Sequence, residues 1–146
     1  MKKTAIIFFL LSLSFISCQN QKKSEGLKIL ISTDDSIKSS VEKNGRLFLF
    51  FTKNGNNDPR YQLFPAPVNA PYIFAVNLTD FDTDETLELH KNIEWNSTTT
   101  HTINKIPDGN YFVQALWDQD TIESRINAPG NIYTETQNIT IGSEST

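Results

Sequence analysis

The segment Arg46-Leu-Phe-Leu-Phe-Phe-Thr52 restricts how this chain folds more than any other. Successive residues of a strand point to opposite faces of its sheet. A half-exposed strand therefore alternates apolar and polar residues, and this one has no polar face. Such a run is a strand buried on both sides, or the central strand of a sandwich. Turn chemistry closes it at both ends: Asn44-Gly45 before it and Lys53-Asn-Gly-Asn-Asn-Asp-Pro59 after it. Asn and Gly reach positive φ at little cost, and proline cannot donate to a ladder.

The remaining segments carry the same signature. Leu27 to Thr33 is short and rich in branched residues, and Asp34-Asp35-Ser36 ends it. Tyr72 to Thr79 alternates, with Tyr72, Phe74, Val76 and Leu78 on one side. Leu87 and Leu89 alternate with Glu88 and His90, and Asn110 to Trp117 is launched by Pro107-Asp108-Gly109. Asn131 to Ile141 reads as one last strand, with Ile139 and Ile141 as its inward pair. Ser97 to Thr100 is polar and β-prone, an edge strand or a loop. Helical spacing is confined to Ser36 to Lys43, where Ile37 and Val41 suit a short turn. Short strands with regular turn signals predict an all-β fold over residues 27–141: one antiparallel β-sandwich, immunoglobulin-like or transthyretin-like in layout. Residues 142–146 form a tail. Gly109 and Gly130, each next to Asp or Pro, are expected to hold positive-φ turn positions.

The amino terminus has a different character. Met1-Lys2-Lys3 is followed by an apolar run from Ala5 to Ile16 and then Ser17-Cys18. A basic start, a short apolar stretch and a small residue before a cysteine describe a secretory signal. The run is short for a bilayer span. It resembles a bacterial lipoprotein signal, with Phe15 where that pattern usually has Leu. The resemblance implies cleavage after residue 17, lipid on the Cys18 sulfur and an acyl chain on the new amino terminus. More than one chain gives stable anchoring. Residues 18–26 then tether the domain, and no Asp follows the cysteine to argue for inner-membrane retention. The expected location is the bacterial cell envelope, at the outer membrane.

Removing 17 of the 146 residues leaves 129, and loss of Lys2 and Lys3 leaves 11 basic against 17 acidic residues, a net charge of about −6. That length suits one domain with its own core. The single cysteine permits no internal disulfide. The acidic balance argues against nucleic acid as a partner.

Catalytic signatures are sparse. His90 lies in an alternating strand and His101 in a polar stretch, and neither accompanies a Gly-x-Ser-x-Gly elbow. One cysteine and two histidines do not make a structural zinc site. Asp80, Asp82 and Asp84 begin like a calcium loop, but Glu85 stands where glycine is needed and Lys91 where a bidentate Glu belongs. An acidic, solvated hairpin tip is the plainer expectation, and Asp118, Asp120 and Glu123 form a looser group of the same kind. No cofactor is implied. Among the aromatics, Trp95 is framed by Glu94, Asn96 and Ser97, which makes it a candidate for exposure and sugar stacking, with packing against the core as the plainer expectation. In a sandwich the loops carry function. The candidate binding loops are Asn54 to Tyr61 and Asp118 to Tyr133, with Arg60, Tyr61, Arg125, Asn131 and Tyr133 as candidate contacts. The alternative for Arg60 and Arg125 is internal ion pairing with the abundant carboxylates.

Three stretches together carry a family resemblance. They are Gly45 to Phe51 with Asp58-Pro-Arg-Tyr-Gln62; Ile106-Pro-Asp-Gly-Asn-Tyr-Phe-Val-Gln-Ala115; and Asn127-Ala-Pro-Gly-Asn-Ile-Tyr-Thr-Glu135. Their order and spacing resemble the β-sandwich domain that precedes the α/β-hydrolase domain in a group of bacterial esterases. The resemblance covers residues 27–141 and includes none of the catalytic domain, so it implies an accessory module to which no catalytic residue carries over. The expected function is a lipid-anchored accessory or interaction module that contacts an envelope protein or a polysaccharide. A carbohydrate- or calcium-binding module is the alternative, and a small hydrolase is a third class. Mass spectrometry of the membrane fraction is expected to find acyl groups on Cys18. A native protein recovered in soluble form and cut elsewhere would refute the anchor.

Overall fold

The computed structural model describes residues 27–63, 70–89, 93–98, 101–120, 122–123 and 125–142. The signal, Cys18, the tether, Phe64, His90 and the tail beyond residue 142 lie outside the described residues. The strands are β1 Ile29–Ile31, β2 Gly45–Thr52, β3 Tyr72–Leu78, β4 Leu87–Leu89, β5 Asn96–Ser97, β6 Gly109–Asp118, β7 Ile132–Tyr133 and β8 Gln137–Ile141. Among the described residues the only helical pieces are single 3-10 turns at Lys38–Ser40, Pro59–Tyr61 and Ile103–Lys105. The expected turn near Ser36 is the first of these.

Every strand pair is antiparallel. The main sheet runs β5-β3-β2-β6, and β7 and β8 share the far edge of β6. The second sheet is β1 with β4. Register places Leu49 opposite Phe74 on one side and Ala115 on the other. Leu47, Leu49, Phe51, Phe74, Tyr111, Ala115 and Trp117 therefore share one face and form the core with Leu89, Ile103 and Ile106. Ile29, Ile31 and Leu87 of the small sheet pack against this cluster. This is the all-β, sandwich-like architecture read from the sequence.

The opposite face of the main sheet is also covered. Phe50, Gln114 and Leu116 lie on it at 0, 1 and 1% exposure. The cover is the chain after β2, whose 3-10 turn Pro59–Tyr61 lies on β2 and β6. Gly55 is seated so close to the Phe112 ring that a Cβ would overlap it. Two-sided burial of β2 therefore comes from a sheet on one side and a loop on the other.

Two local devices shape β6. Tyr111 is fully buried, and its hydroxyl donates to the Pro107 carbonyl at 2.8 Å, just upstream of the strand. This has the form of the tyrosine corner found in β-sandwiches. Gly109 launches the strand at φ +149° and Gly130 sits at φ +97°. The Asn131 N–H donates to the Ala128 carbonyl at 3.2 Å, so Gly130 follows Pro129 in a turn of the type-II kind.

In the course of the chain the structure differs from the sequence expectation in two segments. The segment 131–141 is two strands: the Thr134 N–H still donates to the Ala115 carbonyl at 3.0 Å, but side chains take over the return bonds there. Thr134 Oγ1 accepts from the Ala115 N–H at 3.0 Å, while its carbonyl accepts from Gln114 Nε2 at 2.9 Å. The acidic segment around Asp80 is not a hairpin tip, since β3 and β4 belong to different sheets and the segment crosses between them. Phe50→Ala and Phe51→Ala, one on each face of β2, are each expected to lose about 3–5 kcal/mol in urea unfolding. A loss below about 1 kcal/mol at either position would show that its face is not a packed interior.

Candidate functional site

The loop after β2 is organised by its own polar groups. Thr52 Oγ1 donates to Gln62 Oε1 at 2.9 Å, and Gln62 Nε2 donates to the carbonyls of Asn54 and Asn57 at 2.9 and 2.6 Å. Asn54 Oδ1 accepts from the Asn56 N–H at 3.0 Å. Pro59, with φ preset by its ring, opens the 3-10 turn and is itself fully buried. This local order projects Arg60 inward and leaves Tyr61 outside.

Arg60 is 6% exposed, whereas Tyr61 and Tyr133 are 55 and 54% exposed. The guanidinium carbon lies 3.2 Å from the Tyr133 ring centroid and 4.5 Å from that of Tyr61. A cation over phenol rings is attracted by the ring quadrupole, and more strongly where water is excluded. Asp58 Oδ2 is 3.4 Å from Arg60 Nη2, and Asp58 Oδ1 accepts from Thr136 Oγ1 at 3.4 Å. Arg60 Nε is buried without a hydrogen-bond partner.

Gln114 joins the two loops that meet here. Its Oε1 accepts from the Arg60 N–H at 3.3 Å, and its Nε2 donates to the Thr134 carbonyl at 2.9 Å. Sequence reading did not single out Gln114. The available signal was its position, the one strongly polar residue between Tyr111 and Trp117.

Of the residues singled out in the sequence, the structure brings together Arg60, Tyr61 and Tyr133. Arg125 lies elsewhere on its loop, exposed, with Nη2 2.7 Å from Glu123 Oε2. Both loop arginines thus make internal ion pairs. Asn131 Nδ2 donates to the carbonyls of Arg125 and Ile126 at 3.4 and 3.3 Å, which is a loop-closing role. Trp95 is not an exposed stacking platform. It is half-buried and meets Phe74 edge-on with centroids 6.4 Å apart, because core packing reaches it from β3. His101 packs edge-on against Tyr72 at 5.4 Å.

The carboxylates are dispersed. Asp84 lies 2.8 Å from Lys38, and Asp82 Oδ1 accepts from the Asp84 N–H at 2.9 Å. The Asp80 N–H donates to Asn44 Oδ1 at 3.2 Å. Among the described residues no three His, Cys, Asp or Glu side chains are grouped to hold a metal ion. Burial pushes the Asp118 carboxyl above its ordinary pKa, against hydrogen bonds from the Asp120 backbone and Asn131. Burial likewise raises the Tyr111 hydroxyl.

No protein-family model, no curated protein and no solved structure matches this chain.

The Gln114 bridge has a measurable consequence. Gln114→Leu leaves the Arg60 N–H and the Thr134 carbonyl unpaired, at an expected cost of about 1–3 kcal/mol. Exposed Gln137→Leu on β8 serves as the control. Equal stabilities and equal amide exchange at Arg60 in the two variants would show that Gln114 does not hold the loops.

Proposed function

We propose that this protein is a lipid-anchored, non-catalytic contact module of the bacterial cell envelope. It docks a partner protein through the surface formed by Tyr61 and Tyr133 around Arg60. The observation that supports this reading is the convergence of two separate loops on one buried cation, which holds two phenol rings rigid while leaving each more than half exposed. Tyr and Arg are enriched at the energetic centres of protein interfaces, and a ring that is already immobilised loses little entropy on binding. The residues named at this surface (Asp58, Arg60, Tyr61, Gln114, Tyr133, Thr134 and Thr136) include no histidine or cysteine. They suit recognition rather than acid–base or nucleophilic chemistry. The lipid on Cys18 and the polar tether would keep the module at the membrane surface, where a weak contact gains from high local concentration.

Site-specific photo-cross-linking in intact cells tests this. Probes at positions 61 and 133 are expected to trap the same protein. A probe at exposed Leu30, on the second sheet, is expected not to. The double variant Tyr61→Ala/Tyr133→Ala is expected to lose most of the co-purified partner. It also loses the ring contacts to buried Arg60 and is expected to be less stable by about 2 kcal/mol or more, so retention of the native fold is checked by circular dichroism at the temperature of the assay. Retention of the wild type on envelope polysaccharide, with no protein trapped, would replace the protein partner by a glycan. Ester hydrolysis by the purified protein would overturn the non-catalytic reading.

A further inference from the structure

The two sheets differ greatly in length. β1 and β4 have 3 residues each, against 8 in β2 and 10 in β6. At roughly 3.3 Å per residue, the small sheet covers about a third of the core face. Past its end the face stays open, and a cleft of about 190 Å³ remains there. Its walls are apolar: Leu47 and Trp117 from the main sheet, Ile31 and Leu87 from the small one, and Phe81 and Val41 from the connecting segments. The aromatic wall is pre-set. Trp117 Nε1 donates to the Glu42 carbonyl at 3.1 Å, and its ring meets Phe81 with centroids 5.5 Å apart. An apolar cavity of about 150 Å³ is large enough to take benzene.

The rim is polar and carries Ser32, Thr33 and Asp34. Asp34 Oδ1 accepts from the Ser36 N–H at 2.9 Å and from Ser36 Oγ at 2.6 Å. Oδ2 keeps no partner among the described residues. These bonds hold the Asp34 carboxyl below its ordinary pKa, so it is ionised at neutral pH. Lys38, the cation of the same turn, is already engaged by Asp35 at 2.7 Å and Asp84 at 2.8 Å. Of these charged groups Asp34 alone lines the cleft, and Lys38 is held away from it by its two carboxylate partners, so the rim presents one carboxylate without an ammonium against it.

We infer that this cleft is a binding site for a small organic cation: a compact apolar body about the size of a phenyl ring, seated between Trp117, Phe81 and Leu47, with a protonated amine directed to Asp34. An acid of the same body would meet uncompensated negative charge at the rim.

The test uses the full chain and two probes, 2-phenylethylamine and 3-phenylpropanoate, followed by the indole N–H resonance of Trp117 and by calorimetry. The amine is expected to shift Trp117 saturably and to bind at least tenfold more tightly than the acid. Ala115→Leu, which fills the cleft from its floor, is expected to weaken the amine at least tenfold. Ile37→Trp at the half-open rim gives the same readout if the first variant is unstable. Asp34→Asn is expected to bring amine and acid within threefold of each other. No saturable shift with the amine, equal binding of the acid by the wild type, or unchanged binding in the filled variants would each overturn the site.

Discussion

The architecture depends on β2 having no face to give to water. Leu47, Leu49 and Phe51 point to one side, and Phe48 and Phe50 to the other. The first side is covered in the ordinary way, by a second sheet. The other side is covered by irregular chain, which brings a difficulty a second sheet would not. A strand satisfies its backbone within its own ladder, whereas a loop laid on an apolar face carries N–H and C=O groups that must find partners there. Gln62 meets this need within the loop, and Gln114 meets it from the sheet, with a side chain buried to 1% exposure. The polar residue within β6 is thus a requirement of the two-sided burial, and the candidate surface is its by-product.

Arg60 is the least economical part of that arrangement. An ion removed from water loses several kcal/mol of hydration even after relaxation. Its carboxylate partner is at 3.4 Å, a loose pair, and Nε has none. The two tyrosine rings must therefore supply much of the compensation, at about 2 kcal/mol for a desolvated cation–π contact. The rings are consequently held in place while their outer parts stay in solvent. Rigid, exposed aromatic area is what a contact surface needs. The same physics that stabilises the cation orders the surface.

On the other face, an inequality of length produces the cleft. β1 and β4 end before the face they cover ends, and the turn around Lys38 closes only part of the gap. The Lys38 bridge to Asp84 ties that turn to the segment crossing between sheets. Exposed pairs contribute little to stability, so this bridge sets the position of the rim more than the strength of the fold.

Local chemistry determined much of this from sequence alone. Strands at 45–52, 72–78 and 109–118 follow from runs of branched and aromatic residues between turns. The roles of Gly109 and Gly130 follow from neighbours that demand positive φ. Two-sided burial follows from the missing polar face of β2. All of these depend on residues within a few positions of one another. Tertiary structure decided what depends on distant segments. It split 131–141 at Thr134 through bonds to β6, sent 79–86 across to a second sheet, and drew Trp95 against Phe74. It also placed Tyr61 and Tyr133 on one arginine. Pattern and propensity specify which side of an element is buried. They do not specify which loop is drawn over an uncovered face, because that follows from the shape left by the sheets once they are paired.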